Sequence, residues 1–281
     1  MKKTVLVLMG LLVGISLIFA ISIRTNRNRQ SNIKFFGSLN NKLKIKSTTT
    51  LEGNFELKNM IFDLNATDIQ LTGNDNQVYK LKIEYYEYSK GDVEFFFNEE
   101  NFKFKSKTEK GVFIKSLIGT IPNYVKLKID NGTGSISLKN YIGDSIVINN
   151  GTGSINVENT NGKSLDIDNG TGKIFITSGK FEKFLSIDNG TGNIIINDEI
   201  FNADVVIDNG VGNVSIDGLI SASVSVDNGT GNIKISNSKI AEVQANTGIG
   251  NVVFKNNNFN TKDFNTGIGK ILDENNEKLS Y

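Results

Sequence analysis

Two residue types that carry most enzyme chemistry are missing from this 281-residue chain: it has no His and no Cys. Thiol nucleophiles, thiolate zinc sites and the commonest general base are excluded at once. What remains is carboxylate chemistry. The sequence DNGTG begins at Asp130 and recurs at Asp168, Asp188 and Asp227. Near-copies begin at Asn149 (NNGTG), Asp208 (DNGVG), Asn246 and Asn265 (both NTGIG). Stacked in space, this column would offer a ladder of carboxylates to a hard cation such as calcium. Three of its eight members are Asn, however, which keeps the side-chain acceptor and loses the charge. The calcium β-roll pattern also needs an Asp where this chain has Ile or Val, as at Ile194. The column therefore reads as a repeated corner closed by Asx-type acceptors, with a weak cation site on Asp168, Asp188, Asp208 and Asp227 as the other reading. Paired acids for a glycosidase exist only nominally, at Glu99/Glu100 and Asp198/Glu199. We assign no catalytic, cofactor-binding or metal-binding residues and expect no cofactor.

The elements that must position the motif follow from its spacing. Its first glycines are Gly132, Gly151, Gly170, Gly190, Gly210, Gly229, Gly248 and Gly267, a period of 19 or 20 residues held over eight copies. A fixed period of this length marks a solenoid. Apolar residues stand one and three places before each motif (Ile129 and Leu127; Ile187 and Leu185). They recur six and eight places after its start (Ile136 and Leu138; Ile194 and Ile196). Each repeat thus has two short strands flanking the motif, with four apolar columns pointing inward to a shared core. The expected fold is all-β, a β-solenoid of eight rungs, giving a rod of roughly 38 Å at about 4.8 Å per rung. The connector after the second strand takes up the variation in repeat length and reads as the one free edge. The Asn column (Asn131 to Asn228) predicts a stacked amide ladder. The Thr/Val/Ile column (Thr133, Thr152, Thr171, Thr191, Val211, Thr230, Ile249, Ile268) predicts a packed wall. Phe175 and Ile195, on adjacent rungs, would form a small outward apolar patch unless a connector or the N-terminal layer covers them.

Residues 33–121 hold alternating runs such as VYKLKIEYYEY and NFKFKSK, which read as an N-terminal β region. Within it FDLNATDIQL (Phe62–Leu71) fits the motif frame in degenerate form, with Asp63 at the motif start. In the final copy Lys262 and Asp273 replace apolar core residues, so the last rung is expected to block strand pairing with another molecule. The polar tail occupies 274–281.

At the N-terminus, Val5–Ile23 is an uncharged apolar run of 19 residues behind Lys2 and Lys3. It is long enough to span hydrocarbon as a helix, and a linker (24–32) follows. A signal peptide cleaved after Ala20 is the competing reading, although Ile18 fits the small-residue pattern of such sites poorly. The basic flanks nearly balance, so charge does not fix orientation. With 31 Lys+Arg against 30 Asp+Glu, no global field points to nucleic acid. The partners expected are the membrane, through Val5–Ile23, and an envelope polymer or protein.

The repeats, with IPNYVKLKIDNGTGSISL at Ile121–Leu138, resemble the bacterial putative-adhesin family of glycine-rich β-strand repeats. The resemblance covers about residues 50–272. It implies a bacterial β-solenoid, usually membrane-anchored and facing outward, linked in some relatives to envelope stress responses. It supplies no catalytic residues. Many relatives carry Ser-Gly-Asp where this chain has Thr-Gly-Asn, Thr-Gly-Lys or Thr-Gly-Ser, so these corners are less acidic. The expected function is an extracytoplasmic scaffold or adhesin-like interaction surface at the cell membrane. A carbohydrate-active β-helix enzyme of the envelope is the alternative, and a scaffold facing the cytoplasm a third reading.

Overall fold

Alternation at period two, with β-branched residues at most inward places, leaves this chain one economical way to bury its apolar side chains: extended strands stacked in register. The computed structural model describes residues 45–107, 111–197, 200–201 and 204–274. All regular structure among them is β. Each motif copy ends a long strand, from Lys126–Thr133 in the first copy and Ile142–Thr152 in the second to Asn258–Ile268 in the last. Two residues later a four-residue strand begins, from Ile136–Lys139 to Ile271–Glu274. In the fifth copy the long strand is split into Ile200–Phe201 and Asp204–Val211. Long strands pair in parallel with long, and short with short, so two twelve-stranded sheets run the length of the stack.

The register keeps identical columns together. Ile146 pairs with Leu127 and Leu165, Asp168 with Asp188, and Ile174 with Ile194. A one-residue slip would turn every inward side chain to solvent. The four expected apolar columns are inward and buried through the seventh copy, most of their members at 0–2% exposure. The solenoid comprises about seven full turns, because eight motif copies are separated by seven repeats. The expected eight rungs overcounts the turns by one, since the last copy does not close a further circuit.

The connector is not a free edge. After each short strand the chain turns at a left-handed residue: Asn140, Asn159, Ser178, Gly218, Asn237 and Asn256 have φ between 48° and 69°. Asn tolerates this region better than most residues, and Gly pays no Cβ cost there. Beyond the corner two further inward columns begin. One contains Tyr141, Thr160, Leu219 and Ser238, and the other Gly143, Phe181, Ser221 and Ile240, all buried. Residue size varies along these columns, which hid them from a period search. The volumes compensate between neighbours: a Cβ on Gly143 would lie 2.6 Å from the Tyr141 ring. The Tyr141 hydroxyl donates to the Val125 carbonyl at 2.6 Å, and burial pushes its pKa up.

Seven N-terminal strands complete one end: β1 (Ile45–Asn54), β2 (Asn59–Ala66), β3 (Asp68–Asn74), β4 (Val78–Glu87), β5 (Val93–Asn98), β6 (Asn101–Ser106) and β7 (Phe113–Pro122). β2 and β3 form the degenerate copy foreseen in the sequence, with Asp63 paired to Asp130 and Ile69 to Ile136. β7 then joins β3 in parallel, and β4 and β1 add in antiparallel fashion. On the other sheet β6 meets β2, and β5 and β6 form a hairpin. Rings of Phe55, Phe62, Tyr79, Phe95, Phe97 and Phe102 fill the space between these strands, several in edge-to-face contacts at 4.9–6.2 Å. Aromatic bulk closes a core that the I-x-I repeats alone would leave open. Val5–Ile23 lies outside the described residues. Among those described, no helix is long and apolar enough to cross a membrane.

Ile194→Asp, at a fully buried place, should lower stability by several kcal/mol, on the order expected for an unpaired buried charge. Asn193→Asp should be mild, because Asn193 is partly exposed and its Oδ1 serves as acceptor for the Asn213 amide at 2.9 Å, a role a carboxylate retains. Chemical denaturation of both variants checks this; equal losses would overturn the assigned faces.

Candidate functional site

The motif's five residues divide their work differently from the expected Asx corner. Strand geometry continues through the Asp, Asn, first Gly and Thr, and the bend falls at the second Gly. Gly153, Gly172 and Gly192 have φ of 140–150°, and a Cβ on Gly172 would sit 1.9 Å from the Gly153 carbonyl oxygen. The first Gly is needed for a second reason: a Cβ on Gly151 would lie 2.4 Å from the Gly132 carbonyl oxygen. Glycine is therefore required by close approach between rungs as well as by the bend.

The Asn column is the amide ladder expected. Asn131, Asn150, Asn169, Asn189 and Asn209 each donate through Nδ2 to the Oδ1 of the next, at 2.8–3.2 Å. The same amides reach corner carbonyls, as in Asn131 to Thr67 and Asn228 to Gly231. In the last two copies Thr247 and Thr266 donate hydroxyls to Gly231 and Gly250 instead. It is this inward residue, not the Asp before it, that braces the corner. All six Asn side chains are buried, a cost offset because each finds partners.

The Asp column points outward instead. Its hydrogen bonds run to side chains: Asn149 donates to Asp130 at 2.5 Å, and Asn246 to Asp227 at 2.8 Å. Lys128 pairs with Asp130 at 3.1 Å. Between these ends Asp168, Asp188, Asp208 and Asp227 stand on successive rungs. Partial burial, and then the neighbouring Asp carboxylates, push the Asp168 and Asp208 carboxyls up. Among the described residues, no group of three or more acidic side chains converges to hold a metal ion.

The Thr/Val/Ile column corrects another expectation. It is not a packed wall: Val211, Ile249 and Ile268 are 51%, 52% and 69% exposed, and the Thr members are exposed too. The side chains stand as a ridge with bare glycine on either side. A shallow trough of about 620 Å³ follows the first-glycine column over the last five copies. Its floor is Gly190 to Gly267, and its wall is Asp188, Asp208, Asp227, Asn246 and Asn265. The signal for this surface was in the sequence, since a β-branched column between two glycine columns has no neighbour large enough to cover it.

The remaining candidates do not converge. Glu99 has a left-handed backbone (φ 51°) in the β5–β6 turn, and Glu100 accepts the Asn59 amide at 2.5 Å. Asp198 and Glu199 lie outside the described residues. Phe175 and Ile195 pair in register and are half-buried on the outer face of the short-strand sheet. The N-terminal strands extend that sheet at its end.

Asp188→Asn should leave stability within about 0.5 kcal/mol, and calcium should shift the melting temperature by no more than about two degrees. A double Asp168→Asn, Asp208→Asn variant should melt at or above the parent at neutral pH. Carboxyls raised in the folded state contribute stability that is full below their unfolded pKa and is lost as pH rises through the folded value. The variant's advantage should therefore shrink on acidification. Melting curves across pH, with and without calcium, check both; a calcium-dependent rise that the variant abolishes would restore the cation reading.

No protein-family profile matches the chain, and no curated protein matches it in sequence. Solved structures do. A protein from Parabacteroides distasonis described as a "putative lipid binding protein" aligns with TM-score 0.55 at 14% identity, over 81% of this chain and 97% of its own. A "putative adhesin" from the same species aligns with TM-score 0.51 at 14% identity, over 81% and 97%. A "putative adhesin" from Parabacteroides merdae aligns with TM-score 0.50 at 15% identity, over 84% and 98%. At these identities the likeness establishes a shared fold and nothing finer: the chain has the β-solenoid architecture of these bacterial proteins.

Proposed function

We propose that this protein is a membrane-anchored, extracytoplasmic β-solenoid that serves as an adhesin-like interaction surface of the cell envelope. The observation that carries the reading is the trough. It repeats one set of groups at every rung: a bare peptide floor, a carboxylate or amide on one side, and a β-branched side chain on the other. A surface with translational repeat is suited to a ligand with translational repeat, so the partner class is a linear polymer lying along the rod. The carboxylates favour neutral or amine-bearing repeating units over anionic ones. A glycan fits this chemistry, with hydroxyls toward the Asp/Asn wall and ring C–H groups against the floor and the ridge methyls.

Anchoring rests on Val5–Ile23, whose length suffices for a span, and orientation rests on the resemblance to outward-facing proteins. Two of the similar folds are described as adhesins, which accords with an interaction role. Against the alternative of a glycan-cleaving enzyme, the trough acids share one kind of environment. Hydrolysis needs two carboxyls with contrasting roles.

Full-length protein should need detergent for extraction, and protease added to intact cells stripped of their wall should degrade the β domain. Protection until lysis would place the domain inside. Purified protein should co-sediment with isolated neutral envelope glycan, and a triple Asp188→Asn, Asp208→Asn, Asp227→Asn variant should lose at least about tenfold in retention, the scale of several polar contacts removed together. Undiminished retention by the variant would remove the trough as the contact.

A further inference from the structure

The two ends of the solenoid are finished differently. At the N-terminal end both sheets continue into antiparallel strands and an aromatic plug. At the other end, among the described residues, the last long and short strands are the bare edges of their sheets. Both are almost wholly exposed, including Ile268 at 69%, Ile271 at 48% and Leu272 at 38%. Unpaired edge groups beside apolar side chains are a template for strand addition.

The inward places of this last rung are Lys262 and Phe264 on the long strand, and Ile271 and Asp273 on the short one. Register fixes this: Lys262 follows Val243, Phe264 follows Ala245, Ile271 follows Val252 and Asp273 follows Phe254. Lys262 and Phe264 approach the corner as Ile271 and Asp273 leave it. Phe264 and Ile271 therefore flank the corner, while Lys262 and Asp273 lie one step farther back. Each edge carries one apolar place and one charged place, and the charges are opposite in sign.

We propose that this end is a homotypic docking surface for a second copy of the chain, joined tail to tail about a two-fold axis through the corner. That axis lays the long edge of each copy on the short edge of the other, running antiparallel, and keeps inward faces inward. Lys262 then meets Asp273 of the second copy, and Phe264 meets Ile271, each pair formed twice, as an isologous interface demands. Continued parallel stacking would instead set a lone buried charge on each apolar column. The charges therefore forbid open-ended growth and permit one closed dimer. This inference is independent of any glycan partner and of the membrane reading.

Charge swaps test it. Full-length protein in detergent should show concentration-dependent dimers by sedimentation equilibrium. Lys262→Asp and Asp273→Lys should each weaken self-association by roughly a hundredfold, because each homodimer would set like charges together twice. An equimolar mixture of the two variants should recover a one-to-one dimer, since both contacts are then restored with signs exchanged. Unchanged circular dichroism and melting would show that the variants fold. Monomers of the parent at all concentrations would overturn the proposal. So would single variants that dimerise like the parent through another segment, or a mixture no better than its components.

Discussion

Everything in this molecule depends on parallel strands stacking in register, one rung directly on the next, about 4.8 Å apart. That spacing brings each residue against its counterpart one repeat away, so a residue's environment is largely a copy of itself. Apolar columns become a continuous core, Asn becomes a ladder, and Asp becomes a line of like charges. It also explains the glycines. Where the backbone bends, the carbonyl of the rung below leaves no room for a Cβ, as the 1.9 Å approach at Gly172 shows. Nineteen or twenty residues make a turn because the corners fall at fixed places: one at the second Gly of the motif, the other at the left-handed Asn, Ser or Gly after the short strand.

The stack has a price in like-charge repulsion, which the sequence contains locally. Asn149 and Asn246 bracket the acidic run and donate to Asp130 and Asp227. The four carboxylates between stay solvated on an outward face, where repulsion is modest, about 1 kcal/mol per pair in water. The polar residue placed inside is the neutral one. Exchanging the roles of the two neighbours, Asp inward and Asn outward, would bury a column of charge and the stack would not form.

Much of this was legible in the sequence, because a repeat supplies its own alignment. The four I-x-I columns, the amide ladder and the degenerate copy at Asp63 stand where periodicity put them. Two features were misread for one reason: residue type was taken as a sign of burial. Val211, Ile249 and Ile268 are β-branched, which suits an exposed strand as well as a core, and their glycine neighbours leave them uncovered. Gly143, Phe181, Ser221 and Ile240 share an inward column but no common size or polarity, so only three-dimensional pairing groups them. The Asx reading of the Asp column failed differently. The acceptor was right in kind but faces outward, and the bend falls three to four residues later. The trough emerges only when the Gly and Thr/Val/Ile columns are considered together as relief rather than one by one.

The amide ladder has a direction. Every link runs from the Nδ2 of one Asn to the Oδ1 of the next toward the C-terminus, from Asn131 to Asn228. Such a one-way chain must leave an acceptor at its start, and the Oδ1 of Asn131 is buried with no hydrogen-bond partner, beside the place that Leu64 occupies in the degenerate copy. Six side-chain dipoles aligned head to tail polarise one another. The rod thus carries an internal electric axis along its length, negative toward the aromatic plug and positive toward the open rung. Reversing one amide would break it at two contacts, so the ladder registers the whole stack as a single polarised unit.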